Sequence, residues 1–203
     1  MNMKRNHAIL LLCAAVIIYT AIISPVNVYA KTDAITTATD NEYVVFTEKN
    51  IKTEDMRKKS KLDENKLSEY MKKFPKLSGI ENTLMKIQDE YNVNALLILA
   101  IIRLESGNGK SQIAQSKNNL GGIIASHKSV RVYKSFDTRS DCVIYMAELL
   151  SGNYLTEGGK YFKGYTLTDI AKSYSMSPDE WSELVKELIY EIQTDIDGIQ
   201  SKN

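Results

Sequence analysis

Glu105 closes an apolar run, in the segment Arg103-Leu104-Glu105-Ser106-Gly107-Asn108-Gly109-Lys110. The residues before it, Ala95 to Leu104, are apolar almost all round and predict a helix that is buried on every face. A carboxylate at the C-terminal end of such a helix meets the negative end of the macrodipole, which disfavours the anion by about 0.3–1 kcal/mol. Partial burial disfavours it further and raises the pKa. A carboxyl that keeps its proton near neutral pH can donate it to a leaving oxygen, which is the work of a general acid in glycoside cleavage. Gly107 and Gly109 end the helix without side chains, so a bulky polymer can come close. The plainer reading is an inert ion pair of Glu105 with Arg103 or Lys110.

Asn118 and Asn119, in Lys117-Asn118-Asn119-Leu120-Gly121-Gly122, offer amide donors and acceptors suited to acetamido and hydroxyl groups. The same residues also make an ordinary turn. Tyr174 is expected in the loop before the last helix, pointing into a groove, although any of the 12 tyrosines could serve simply as packing. Cys142 falls on the apolar stripe Cys142, Val143, Met146, Leu149, Leu150, where a free thiol behaves as a small hydrophobe. With His127 as its one histidine candidate, it is expected in the core, not as a nucleophile. A zinc site wants about four such ligands, so no metal is expected, and no cofactor.

The elements that must position these residues are mostly helical. Ile80, Leu84, Ile87 and Tyr91 recur at helical spacing, and Asn94 can cap the buried helix that follows. A short helical turn begins at Ser111. Ile123-Ile124 and Val130 to Tyr133 predict a small β-hairpin. Helices follow from about Thr138 to Ser151 and from Asp169 to Tyr174. Ser177-Pro178-Asp179-Glu180 reads as a capping box with proline at the first helical position. It opens a last helix with an apolar face of Trp181, Leu184, Val185, Leu188, Ile189 and Ile192.

The ends and the charge balance set the frame. Residues 1–30 carry Lys4 and Arg5, an apolar run from Ala8 to Ile23, then Ser24-Pro25 and Val28-Tyr29-Ala30, the pattern of an export signal cut after Ala30. An uncleaved anchor is the rival, but the run is shorter than a spanning helix wants. Residues 31–74 read as a flexible spacer and a marginal charged helix, and 75–200 as the folded domain. The 203 residues hold 26 basic and 25 acidic side chains, a formal net charge of +1. Removing the signal leaves 24 against 25. That balance argues against a nucleic-acid partner.

The stretch Tyr91 to Ser111, followed by Asn118-Asn119-Leu120-Gly121-Gly122-Ile123, resembles the bacterial glucosaminidase-type peptidoglycan hydrolases, endo-β-N-acetylglucosaminidase-like enzymes of the lysozyme-like superfamily. Phe136-Asp137-Thr138 is similar to that family's entry to the next helix. Lys172 to Trp181 loosely resembles its Tyr-Ala-Thr-Asp-Pro-x-Tyr segment, altered here to Tyr174-Ser-Met. The resemblance runs from about Pro75 to Ile196. It implies a mainly α, α+β lysozyme-like fold: a helical lobe around the buried helix with a small β-hairpin lobe. It also implies a monomeric exported wall hydrolase acting on peptidoglycan glycan strands, with Glu105 as general acid and Tyr174 orienting the substrate. The protein would then sit in the cell wall or on the outer face of the membrane. Some members carry a second acid in the β-lobe. Here no residue between Glu105 and Asp137 is acidic, which leaves Asp137 as the second candidate carboxylate. Three readings stay open: hydrolysis assisted by the substrate's own acetamide, cleavage as a lytic transglycosylase or muramidase, and a catalytically inactive wall-binding or scaffold protein.

Overall fold

A computed structural model describes residues 42–126 and 131–200, apart from the side chain of Ser126. The expected export signal, the start of the spacer, His127 and Val130 lie outside the described residues. Among those described, no helix is long and apolar enough to cross a membrane.

The chain runs β1 (Tyr43–Val44), β2 (Lys59–Ser60), α1 (Glu64–Met71), α2 (Glu81–Tyr91), α3 (Ala95–Ser106), α4 (Gln112–Lys117), β3 (Ile124–Ser126), β4 (Val132–Tyr133), α5 (Arg139–Leu149), α6 (Leu167–Tyr174) and α7 (Pro178–Gly198). α3 is the axis of the molecule. Every residue from Ala95 to Arg103 is buried, and α7, α2 and α5 pack around it. A helix without a polar face has to be enclosed in this way. Asn94 caps it, its Oδ1 accepting from the N–H groups of Leu96 at 2.9 Å and Leu97 at 3.2 Å. β3 and β4 form the expected antiparallel hairpin beside this helical body. α5 opens into a single π turn, Leu150–Tyr154, which leaves Tyr154 buried.

Two expectations are corrected. The segment placed in a spacer and a marginal helix belongs to the folded body from residue 42 onward. Val44, Phe46, Ile51 and Met56 are buried in the common core, as are Leu67, Tyr70 and Met71 of α1. The reason lies in a buried polar clasp at the start of α3. Gln88 Oε1 accepts from the N–H of Ser60 at 2.7 Å and of Ala95 at 3.2 Å, and Asn94 Nδ2 donates to Lys58 O at 2.8 Å. β2 thereby supplies partners for groups that burial would otherwise leave unpaired. β1 then pairs in parallel with β2.

The second correction concerns caps. Ser177 makes no side-chain cap to α7, because its ψ of 75° departs from the extended geometry of a capping residue. Complete capping boxes stand instead at Thr138–Asp141 on α5 and Thr166–Asp169 on α6. On α7, Trp181, Val185, Ile189 and Ile192 are buried as expected, while Leu184 is exposed.

Candidate active site

Glu105 occupies the last turn of α3, one residue before its end. The helix stops there because Gly107 takes a left-handed φ of 57° and donates its N–H back to the carbonyls of Arg103 and Leu104. Gly109 follows at φ 77°, and a Cβ there would lie 2.7 Å from the Lys76 carbonyl oxygen. The loop is held down by Ser106, whose buried hydroxyl donates to Ile102 O at 2.6 Å and accepts from the Gly109 N–H at 2.7 Å.

The proposed ion pair with Arg103 does not form. Residues two apart on an α-helix point about 200° from each other. Arg103 faces the other way, donating from Nη1 to Tyr70 Oη at 2.7 Å and Glu191 Oε1 at 3.1 Å, with its guanidinium over Phe74 at 4.3 Å. Among the described residues no cation forms a salt bridge to Glu105.

Two aromatic residues, Trp181 and Tyr174, border the carboxyl instead. Trp181, in the first turns of α7, stacks on Tyr174 at the end of α6, with ring centroids 4.6 Å apart and planes at 30°. Tyr154 of the π turn lies 5.6 Å beyond Tyr174, and Tyr161 lies 5.0 Å beyond Tyr154. Burial pushes the Glu105 carboxyl up from the usual carboxylate range to about 7. The indole N–H of Trp181 faces the carboxyl and opposes that rise. It does not complete a hydrogen bond: Glu105 Oε1 and Trp181 Nε1 are both buried and both without a partner. The Tyr174 phenol is raised well above its ordinary value, first by burial and then by the adjacent Glu105 charge, so it stays a neutral donor. A proton held near pH 7 on a carboxyl at the edge of the core is the arrangement general acid catalysis uses.

The other expected residues are placed differently. Tyr174 is the last residue of α6, not a loop residue, and it does stand beside Glu105. Asn119 is wholly buried, its Nδ2 donating to Ile123 O and Lys134 O at 2.8 Å each and its Oδ1 accepting from the Ile123 N–H at 2.8 Å. With those bonds made, its amide cannot serve a sugar; it pins the hairpin. Asn118 likewise donates to the carbonyls of Phe136 at 3.1 Å and Asp137 at 2.9 Å. Asp137 is exposed on the entry to α5. Cys142 is buried as expected, accepts from the Leu120 N–H at 3.2 Å, and has its thiol pushed up to about 11 by burial. No three His, Cys, Asp or Glu side chains gather to hold a metal ion among the described residues. Trp181 was legible as a position on the apolar face of the last helix, since nothing in its spacing marks it as a neighbour of Glu105.

Known proteins resemble this chain at several levels. Two curated proteins from strains of Streptococcus pneumoniae, each named "Putative endo-beta-N-acetylglucosaminidase", are 28% identical over 143 residues. The match takes in 66% of this chain and about a fifth of theirs, so the chain spans only a small part of their length. The crystal structure of S. aureus autolysin E superposes with a TM-score of 0.54 at 17% identity, covering 78% of this chain and 79% of that one. A catalytic mutant of autolysin E, in complex with the disaccharide NAG-NAM, superposes at 0.51 with 16% identity, covering 78% and 74%. These establish the expected α+β lysozyme-like fold. The glucosaminidase family model, described as mannosyl-glycoprotein endo-beta-N-acetylglucosaminidase, matches residues 81–194. That span holds Glu105, Tyr174 and Trp181 and more than half of the sequence, and the chain belongs to the glucosaminidase family.

Proposed function

We propose that this protein is an exported, monomeric peptidoglycan hydrolase that cleaves the β-1,4 glycan strand at N-acetylglucosamine, with Glu105 as general acid. The observation that carries the reading is the Glu105 carboxyl at a helix end, its Oε1 buried without a partner, with burial pushing its pKa up to about 7. Family membership over residues 81–194 supports the reaction class. The NAG-NAM disaccharide bound by the autolysin E mutant supports the substrate class.

In this reading Glu105 protonates the glycosidic oxygen as the bond to the anomeric carbon breaks. Asp137 is exposed on the entry to α5, away from the end of α3 in sequence and on a different element. The substrate's own acetamide oxygen therefore closes on the anomeric carbon. Water then adds there and returns a proton to Glu105. Tyr174, kept neutral by its burial, orients the sugar beside the acid.

Mass spectrometry of peptidoglycan digested by the protein tests this directly. Fragments ending in reducing N-acetylglucosamine are expected. Anhydromuramyl ends would make it a lytic transglycosylase, reducing muramic acid ends a muramidase, and intact wall a binding protein.

A further inference from the structure

We propose that Trp181 is the partner of the anion Glu105 becomes: a positioning residue whose indole N–H closes on Oε1 when the acid's proton leaves. The inference rests on the reading of Glu105 as the general acid. Its own basis is a pair of orphans. Glu105 Oε1 and Trp181 Nε1 are both buried without a hydrogen-bond partner, and the indole is near enough to the carboxyl to favour its anion. Both residues also border Tyr174, Trp181 by stacking and Glu105 by its charge. Buried polar atoms of native proteins are nearly always paired, so a donor and an acceptor left open side by side call for a second state in which they meet. The indole can only donate, so it gains little from a neutral carboxyl and most from a carboxylate.

Catalysis supplies that state. The proton passes from Glu105 to the glycosidic oxygen, and the bond to the anomeric carbon breaks with its electron pair going to that oxygen. The acetamide oxygen takes up the charge at the carbon, and Glu105 is left as a buried anion. The Trp181 N–H is already in place to receive it, held by its stacking on Tyr174. When water adds at the anomeric carbon, its proton returns to Glu105 and the indole is released.

Among the described residues no salt bridge competes for the site. From α6 the carboxyl is faced by the Tyr174 phenol, with Cys142 of α5 behind it, and both have their ionisation pushed up by burial. From α7, Glu191 is paired with Arg103 on the far side of α3.

The test uses the fact that Trp181 is the one tryptophan of the chain, so its indole gives a single NMR signal. In the parent protein the indole proton is expected to move downfield between pH 5 and pH 9, with a midpoint at about 7. In Glu105→Gln the titration should vanish. That control assigns the change to the Glu105 carboxyl and to no other group of the chain. An indole signal that does not titrate, or one that titrates equally in Glu105→Gln, overturns the proposal.

Trp181→Phe keeps an aromatic ring against Tyr174 and removes the donor. Its kcat on soluble glycan strands should fall about tenfold at constant KM, and the alkaline limb of its pH profile should rise by about one pH unit. An unshifted limb in a folded variant also overturns the proposal. If instead Glu105→Gln keeps full activity, the general-acid reading itself fails, whatever the indole does.

Discussion

Glu105 combines two penalties for an anion, a helix C-terminus and an apolar surround of Trp181 and Tyr174. Its raised pKa makes stability depend on pH with a definite sign. Below the ordinary carboxylate value, about 4.3, the carboxyl holds its proton whether the chain is folded or not, and its burial is fully tolerated. As the pH rises the unfolded chain ionises first, so folding loses free energy until the folded carboxyl also ionises at about 7. Glu105→Gln has no such loss. Urea denaturation at pH 4 and pH 9 should show the variant gaining on the parent by roughly 3 kcal/mol between the two. A constant difference would mean that the carboxyl is better solvated than its surroundings imply. Asn119 teaches the reverse lesson. An Asn-Asn pair before two glycines looks like a ligand-binding loop, and in the fold its amide fastens the hairpin through Ile123 and Lys134.

Among the elements, the segment before α1 contributes buried side chains to the common core. Met56 is buried; its N–H donates to Tyr165 O at 2.8 Å and its carbonyl accepts from the Asn94 N–H at 2.9 Å. It thus ties the approach to α6 to the cap of α3. Met56→Ala should lower the unfolding free energy by about 2–5 kcal/mol in the same denaturation experiment, as for other large core residues. Unchanged stability would restore the spacer reading. The helices were legible because their apolar residues repeat with a period near 3.6 and because caps such as Asn94 punctuate them. Val44, Phe46, Ile51 and Met56 lie in chain with little regular structure, where burial leaves no period to read. Ser177 misled for a related reason. Residue types can announce a capping box, but only the backbone angles decide whether the hydroxyl reaches the helix, and Thr138 and Thr166 have those angles.

At the scale of the whole molecule, one buried helix fixes the site. α3 carries Glu105 to its end, and α6 and α7 bring Tyr174 and Trp181 beside it from about 70 residues further along the chain. The position of Glu105 could be read from its helix, whereas its neighbours could be found only once the helices were packed. Near-zero net charge leaves recognition to this local chemistry. The central claim is therefore a claim about one carboxyl. The most direct measurement is the release of soluble fragments from purified peptidoglycan by the parent and by Glu105→Gln, with the fold of each verified by circular dichroism. The variant should be folded and slower by at least about 10²-fold, the low end of what general acid–base catalysis contributes. A folded variant that degrades the wall at a rate close to the parent's would contradict the account.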